Sequence, residues 1–158
     1  MKNNFFKKGF LTVELVLGVT IVVVVIVSIF NLMQISLRIS NDSVDKTVSA
    51  YLVEEGAEAM KILRDNNWSN ISSLSSGTTY YLNFSSNTWS TTTTANTIGK
   101  FTRRVSVSDV YRDSNDDISS SGTLDSGTKE VTIEVSWTNS VGSTKTETVT
   151  FYITDLYS

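Results

Sequence analysis

Between Phe10 and Phe30 the chain runs for 21 residues with a single ionisable side chain, Glu14. As a helix rising 1.5 Å per residue, a run of that length covers the ~30 Å hydrocarbon core of a bilayer. A membrane-spanning helix is therefore expected, because a helix satisfies its own backbone where no water can. Lys2, Lys7 and Lys8 precede the run with no acidic residue among them. Positive flanks stay cytoplasmic, so the expected orientation is N-in and C-out.

A secretory signal also opens with basic residues and an apolar stretch, but its apolar core is ~7–15 residues and ends at a small-x-small cleavage site. Here the stretch is longer and the small residue, Gly9, comes before it. A plain anchor accounts for the length and leaves Glu14 unexplained. An ionisable group in lipid is costly and normally marks a partner or a function. A carboxylate near the cytoplasmic end can also reach the headgroups, and the residue by itself admits both readings.

The string Lys7-Lys8-Gly9-Phe10-Leu11-Thr12-Val13-Glu14, running into the apolar helix, resembles the N-terminus of type IV prepilins and pseudopilins. The resemblance implies cleavage between Gly9 and Phe10 by a prepilin peptidase and N-methylation of the new Phe10 amine. It also implies assembly through Glu14, which in the family pairs with the N-terminal amine of a neighbouring subunit. The partners implied are other pilin subunits, the peptidase and the inner-membrane assembly machinery. The implied location is the bacterial inner membrane, then an extracellular pilus or a periplasmic pseudopilus.

The commonest family string reads Gly-Phe-Thr-Leu-Ile-Glu, and here the threonine is displaced by one position while the cleavage and charge positions stay in place. The chain has no proline and no cysteine. The helix kink of many major pilins and their C-terminal disulfide are thus both missing, which favours a minor pilin or pseudopilin. Farther along, Phe101-x-Arg103 before a valine strand and Val135-x-Trp137 resemble minor pilins of the pilus-modification type.

The expected organisation is a leader over 1–9, a membrane and assembly half-helix over 10–30, an amphipathic outer half over 31–66 and a sheet head over 67–158. Residues 31–158 are expected to fold as one domain. Removing Met1 to Gly9 takes away three lysines and no acids, moving the formal charge from −3 to about −6. Nucleic acid is a poor partner for a chain so acidic.

Beyond the span, Leu32, Ile35, Ile39, Val48, Leu52, Ala59 and Ile62-Leu63 recur at helical steps between Arg38, Asp42, Asp45, Lys46, Glu54 and Lys61. One helix is expected as far as Asp65-Asn66-Asn67, with a bend at Gly56, which costs about 1 kcal/mol against alanine in mid-helix.

Four strands follow from period-two alternation: Thr79 to Phe84, Lys100 to Val110, Glu130 to Trp137 and Glu147 to Thr154. Thr138 to Thr144 reads as a hairpin, while Ser85 to Asn96 and Asp113 to Thr128 read as loops. The strands each have one apolar face, so an antiparallel sheet is expected, covered by the helix stripe from Val48 to Leu63. The fold class is α+β: a long N-terminal helix with its outer half packed on an antiparallel sheet, as in pilins.

The chain has no histidine and no cysteine. The usual general base, imidazole ligand and thiol nucleophile are missing, no phosphate-cradling glycine motif is present, and no enzyme activity is expected. Adjacent Glu54 and Glu55 point in different directions on a helix and read as solvated charges. Asp113-x-Asn115-x-Asp117 has the spacing of a calcium loop, with Asp125 as a closing ligand. Ile118 stands where the loop glycine belongs and Leu124 where the closing glutamate belongs, so no cofactor is expected and calcium is the one candidate ion.

Asn41, Asn67, Asn70 and Asn83 begin Asn-x-Ser triplets, frequent by chance in a serine-rich chain. Trp137 alternates with core residues, Trp89 has no pattern, and Trp68, Trp89, Tyr111 and Tyr157 are candidates for adhesive surface contacts. A filament subunit accounts for the leader, Glu14, helix and sheet together. The alternative is a membrane-tethered extracytoplasmic binding or adhesion module, which leaves Glu14 and Gly9-Phe10 as coincidences.

Overall fold

A computed structural model of the chain describes residues 5–156, with side chains from Leu11 onward. Helix α1 occupies Phe5–Asn66 and is followed by the one-turn helix α2, Ser69–Ser72. The strands are β1 (Thr79–Ser85), β2 (Thr88–Thr92), β3 (Thr102–Arg112), β4 (Ile118–Ser119), β5 (Thr123–Thr138) and β6 (Thr144–Thr154). They form one antiparallel sheet in the order β2-β1-β3-β5-β6, with β4 paired to the end of β3. The α+β class is as expected. By contacts the chain divides into two units, one ending at Ser43 and one beginning at Val44.

In the first unit the absence of proline leaves the helical hydrogen-bond ladder unbroken, and every residue from Leu11 to Asn41 is exposed. Leu32, Ile35 and Ile39 belong here and are not covered.

In the second unit α1 lies on the sheet. Its buried positions are Asp45, Ser49, Val53, Gly56, Ala59, Met60 and Leu63. These follow the expected three- and four-residue steps: Ala59 and Leu63 are buried as expected, whereas the earlier part of the stripe is turned by about one position, to Ser49 and Val53. Val48 is 37% and Ile62 43% exposed, and both point away from it. Hydrophobicity favours the larger side chains, whereas close approach of a helix to a sheet favours small ones, so Ser49, Gly56 and Ala59 lie inside.

Gly56 is a contact point, and helix α1 continues through it. A Cβ there would lie 3.1 Å from Cδ of Arg103 and 3.1 Å from Cγ2 of Ile133. An added methyl would be tight against both side chains, which would have to give by a few tenths of an ångström.

The main core joins Ala59, Met60 and Leu63 of α1 and Ile71 of α2 to Leu82, Val105, Val107, Val131, Ile133 and Ile153 of the sheet. A smaller cluster gathers Val53, Phe101, Val135 and Trp137. Trp137 is buried as its alternation requires, and its ring lies 5.9 Å from that of Phe101.

Two stretches expected as loops contain strand. Within Ser85 to Asn96, β2 pairs with β1 through a two-residue turn, Ser86-Asn87, with φ of 52° and 60°. Such a turn needs positive φ at both residues, a geometry usually announced by Asn-Gly; without the glycine the signal is absent from the sequence. Within Asp113 to Thr128, β4 and the first residues of β5 extend the sheet. Register shifts between Asp109 and Val110, so that Asp109 faces Lys129 while Val110 faces Asp125. This irregular end has little apolar face, and alternation cannot reveal it.

Gly122, just before β5, has φ of 142°, and a Cβ there would meet the carbonyl oxygen of Arg112 at 2.1 Å. The Thr138 to Thr144 hairpin forms as expected: Asn139 Oδ1 accepts the N–H groups of Val141 and Ser143 at 3.2 and 2.8 Å.

Candidate functional site

The N-terminal candidates fall on α1. Gly9 and Phe10 lie in its first turns, and their side chains lie outside the described residues. Glu14 lies within them and is exposed. Beside it a shallow groove follows one helix face through Leu11, Leu15, Gly18, Val19 and Val22, and Glu14 is the sole charged residue lining it. A Cβ at Gly18 would meet nothing within 4 Å, so a neighbouring helix can approach there.

Two hydroxyls of this segment are satisfied by their own helix. Thr20 Oγ1 donates to the Val16 carbonyl at 2.7 Å, and Ser28 Oγ to that of Val24 at 2.8 Å. This local bonding allows hydroxyls to be carried in lipid without a partner. The segment is thus apolar on every side, with a single carboxylate near its beginning. By length and composition it can cross a membrane.

The calcium candidates are divided between a turn and a strand. Asp113 Oδ1 accepts the backbone N–H groups of Asn115 at 2.8 Å and of Asp117 at 3.1 Å, folding the turn onto its own carboxylate. Asp125, in β5, is 2.7 Å from Nε of Arg112, whose Nη1 donates to the Asp116 carbonyl at 2.8 Å. A cation would have to displace that guanidinium. Among the described residues no group of three or more His, Cys, Asp or Glu is arranged to hold a metal.

These pairings have a consequence for pH. The Arg112 guanidinium, helped by the Thr128 hydroxyl and the Gly127 N–H, holds the Asp125 carboxyl below the usual carboxylate range. Lys129, with Ser76, does the same for Asp109. A carboxyl depressed in the folded state stabilises above its unfolded pKa of about 3.9, and that contribution is lost as pH falls through the folded value. The melting temperature should therefore hold steady from neutral pH to about pH 5 and drop below about pH 4. In Asp125→Asn the neutral plateau should be lower and the acid drop smaller, as read by circular dichroism; an unaltered acid limb would show that Asp125 takes no part.

The remaining sequence candidates are scattered. Trp68 and Trp89 are half-buried and pack against the main core, and Tyr111 is partly exposed at the end of β3. Tyr157 lies outside the described residues. Asn41 is on α1, as expected.

Glu54 is exposed, in line with its reading as a solvated charge, and Glu55 departs from that reading. Its Oε2 is 2.7 Å from Nη1 of Arg103, a side chain only 3% exposed. The signal that could have found this pair is parity: Arg103, Val105 and Val107 alternate on one face of β3, in phase with Phe101 just before it, which places a guanidinium among core residues.

Fold and site together define an α+β protein with, among the described residues, one helix long and apolar enough to cross a membrane. Comparison with family models, with curated proteins and with solved structures returns no match.

Proposed function

We propose that the chain is a minor subunit, pilin or pseudopilin, of a type IV pilus or a related secretion filament. It is inserted N-in and C-out in the bacterial inner membrane, processed by a prepilin peptidase and assembled through α1. The observation that carries this reading is Glu14, a lone carboxylate on an otherwise apolar, uncovered helix, four residues beyond Phe10. A bare anchor has no need of it, whereas a bundle of such helices can match it to the N-terminal amine of a neighbour and so cancel two charges in lipid. The resemblance over Lys7 to Phe30 supports the same assignment, as does a helix whose later part lies on an antiparallel sheet.

The reading requires a cut between Gly9 and Phe10. Co-expression with a prepilin peptidase should shorten the chain by nine residues and leave Phe10 as the N-terminus, as measured by intact-mass spectrometry. A chain retaining Met1, or one cut beyond Phe30, would overturn the assignment. Replacing Gly9 with a bulky residue should block the shift in mass.

A further inference from the structure

The end of α1, the turn of α2 and strand β2 enclose a cleft of about 370 Å³. That volume lies near the lower end of the roughly 300–1,000 Å³ range of small-molecule sites. Trp89 gives it an aromatic wall, while Asn66, Asn70, Ser73 and Thr91 bring amides and hydroxyls; no lining residue is charged.

The wall is held in place before any ligand arrives. The Arg103 guanidinium carbon sits 5.4 Å over the indole, and the ring of Phe84 lies 4.9 Å away at a tilt of 50°. Arg103 is itself held by Glu55. The polar groups are partly fixed: Asn70 Nδ2 donates to the Leu63 carbonyl at 2.9 Å, which leaves its Oδ1 free to accept. Asn66, exposed at the end of α1, makes no side-chain hydrogen bond among the described residues. A site ordered in this way loses little entropy on binding.

The chemistry selects the ligand. With no cation in the lining, a phosphate or carboxylate has nothing to neutralise it. A wholly apolar ligand would strip water from the amides without replacing it, leaving their hydrogen-bonding groups unpaired. The indole face is the negative pole of its quadrupole and attracts polarised C–H groups. A neutral pyranose offers both halves of the match, a C–H face for the ring and hydroxyls for the amides.

We propose that this cleft binds a neutral pyranose, either as one unit of a glycan or as a free sugar. The inference goes beyond the filament reading and does not rest on it, because every residue used belongs to the second unit.

The test uses the full chain in a detergent without a sugar headgroup and saturation-transfer NMR. The probes are methyl α- and β-glucopyranosides, galactopyranosides and mannopyranosides, methyl N-acetyl-β-glucosaminide, and the corresponding disaccharides and trisaccharides. At least one should show transfer concentrated on the protons of one ring face. Trp89→Ala and Asn66→Ala should each weaken its binding by about tenfold or more. Tighter binding of oligosaccharides than of methyl glycosides would identify a glycan as the source, and equal binding a free sugar. Should Trp89→Ala fail to fold, Asn66→Ala carries the test alone, since it alters an exposed residue without a protein partner. No transfer from any pyranoside, binding unchanged in Asn66→Ala, or equal transfer from the acyclic polyol sorbitol would overturn the proposal.

Discussion

Glu14→Gln and Glu14→Leu are expected to insert into the membrane and be processed after Gly9 as the parent chain is, yet to enter filaments about tenfold less well or worse. The cause lies in the cost of charge in lipid. On the proposed assembly, the Phe10 amine of one subunit is neutralised by Glu14 of the next, and in either variant that amine stays in the apolar layer without a counter-charge. Breaking a buried pair by removing one partner costs about 3–5 kcal/mol, and a loss of only ~1.4 kcal/mol per contact already means a factor of ten. The second unit contributes nothing to this pair, so its fold should be unchanged. The measurement is the ratio of variant to parent in sheared filaments from cells expressing both. Equal representation would reduce Glu14 to a headgroup contact.

The second large effect concerns stability and should be lopsided across a single ion pair. Arg103 is 3% exposed, whereas the Glu55 side chain is 49% exposed. Glu55→Ala strands a buried guanidinium that keeps the Leu52 carbonyl at 3.1 Å and the ring of Trp89, and whose Nε has no acceptor among the described residues. A loss of about 2–3 kcal/mol is expected, less than for a fully buried pair because solvent reaches Glu55. Arg103→Met removes the charge instead, returns Glu55 to water and keeps an unbranched stem beside Gly56. Its cost should be about 1 kcal/mol or less. The double variant should be no less stable than Arg103→Met alone, since the stranded charge is then gone. Denaturant unfolding of all three, followed by tryptophan fluorescence, decides the matter; Arg103→Met as the most damaging of them would refute the account.

How much of this was legible in the sequence depended on whether one residue or two distant ones carried the signal. Period-two alternation located β1, β3, β5 and β6 and put Trp137 inside, because a strand reports its buried face through its own neighbours. β2 was invisible: its turn uses Ser86-Asn87 without glycine, and its inward residues Trp89 and Thr91 are interrupted by threonine and serine. The helix stripe was right at Ala59 and Leu63 and about one residue off at Val48, since positions nearest the sheet are occupied by Ser49 and Gly56. Gly56 read as a place to bend because its reason, the side chain of Ile133, comes from β5.

The sequence alone determined the features that each depend on one continuous segment. These are a helix long and apolar enough to cross a membrane, the isolated carboxylate Glu14 within it, and the α+β class that follows from helical and then alternating periodicity. Tertiary structure alone decided which groups meet: Glu55 with Arg103, Arg103 with Trp89, and Arg112 with Asp125. It also decided that Trp89, Asn66 and Asn70 face one cleft. The physical reason is range. Periodicity records how each residue sits relative to its neighbours in the chain, whereas a pairing energy depends on distance and burial, which are fixed only once α1 has settled on the sheet.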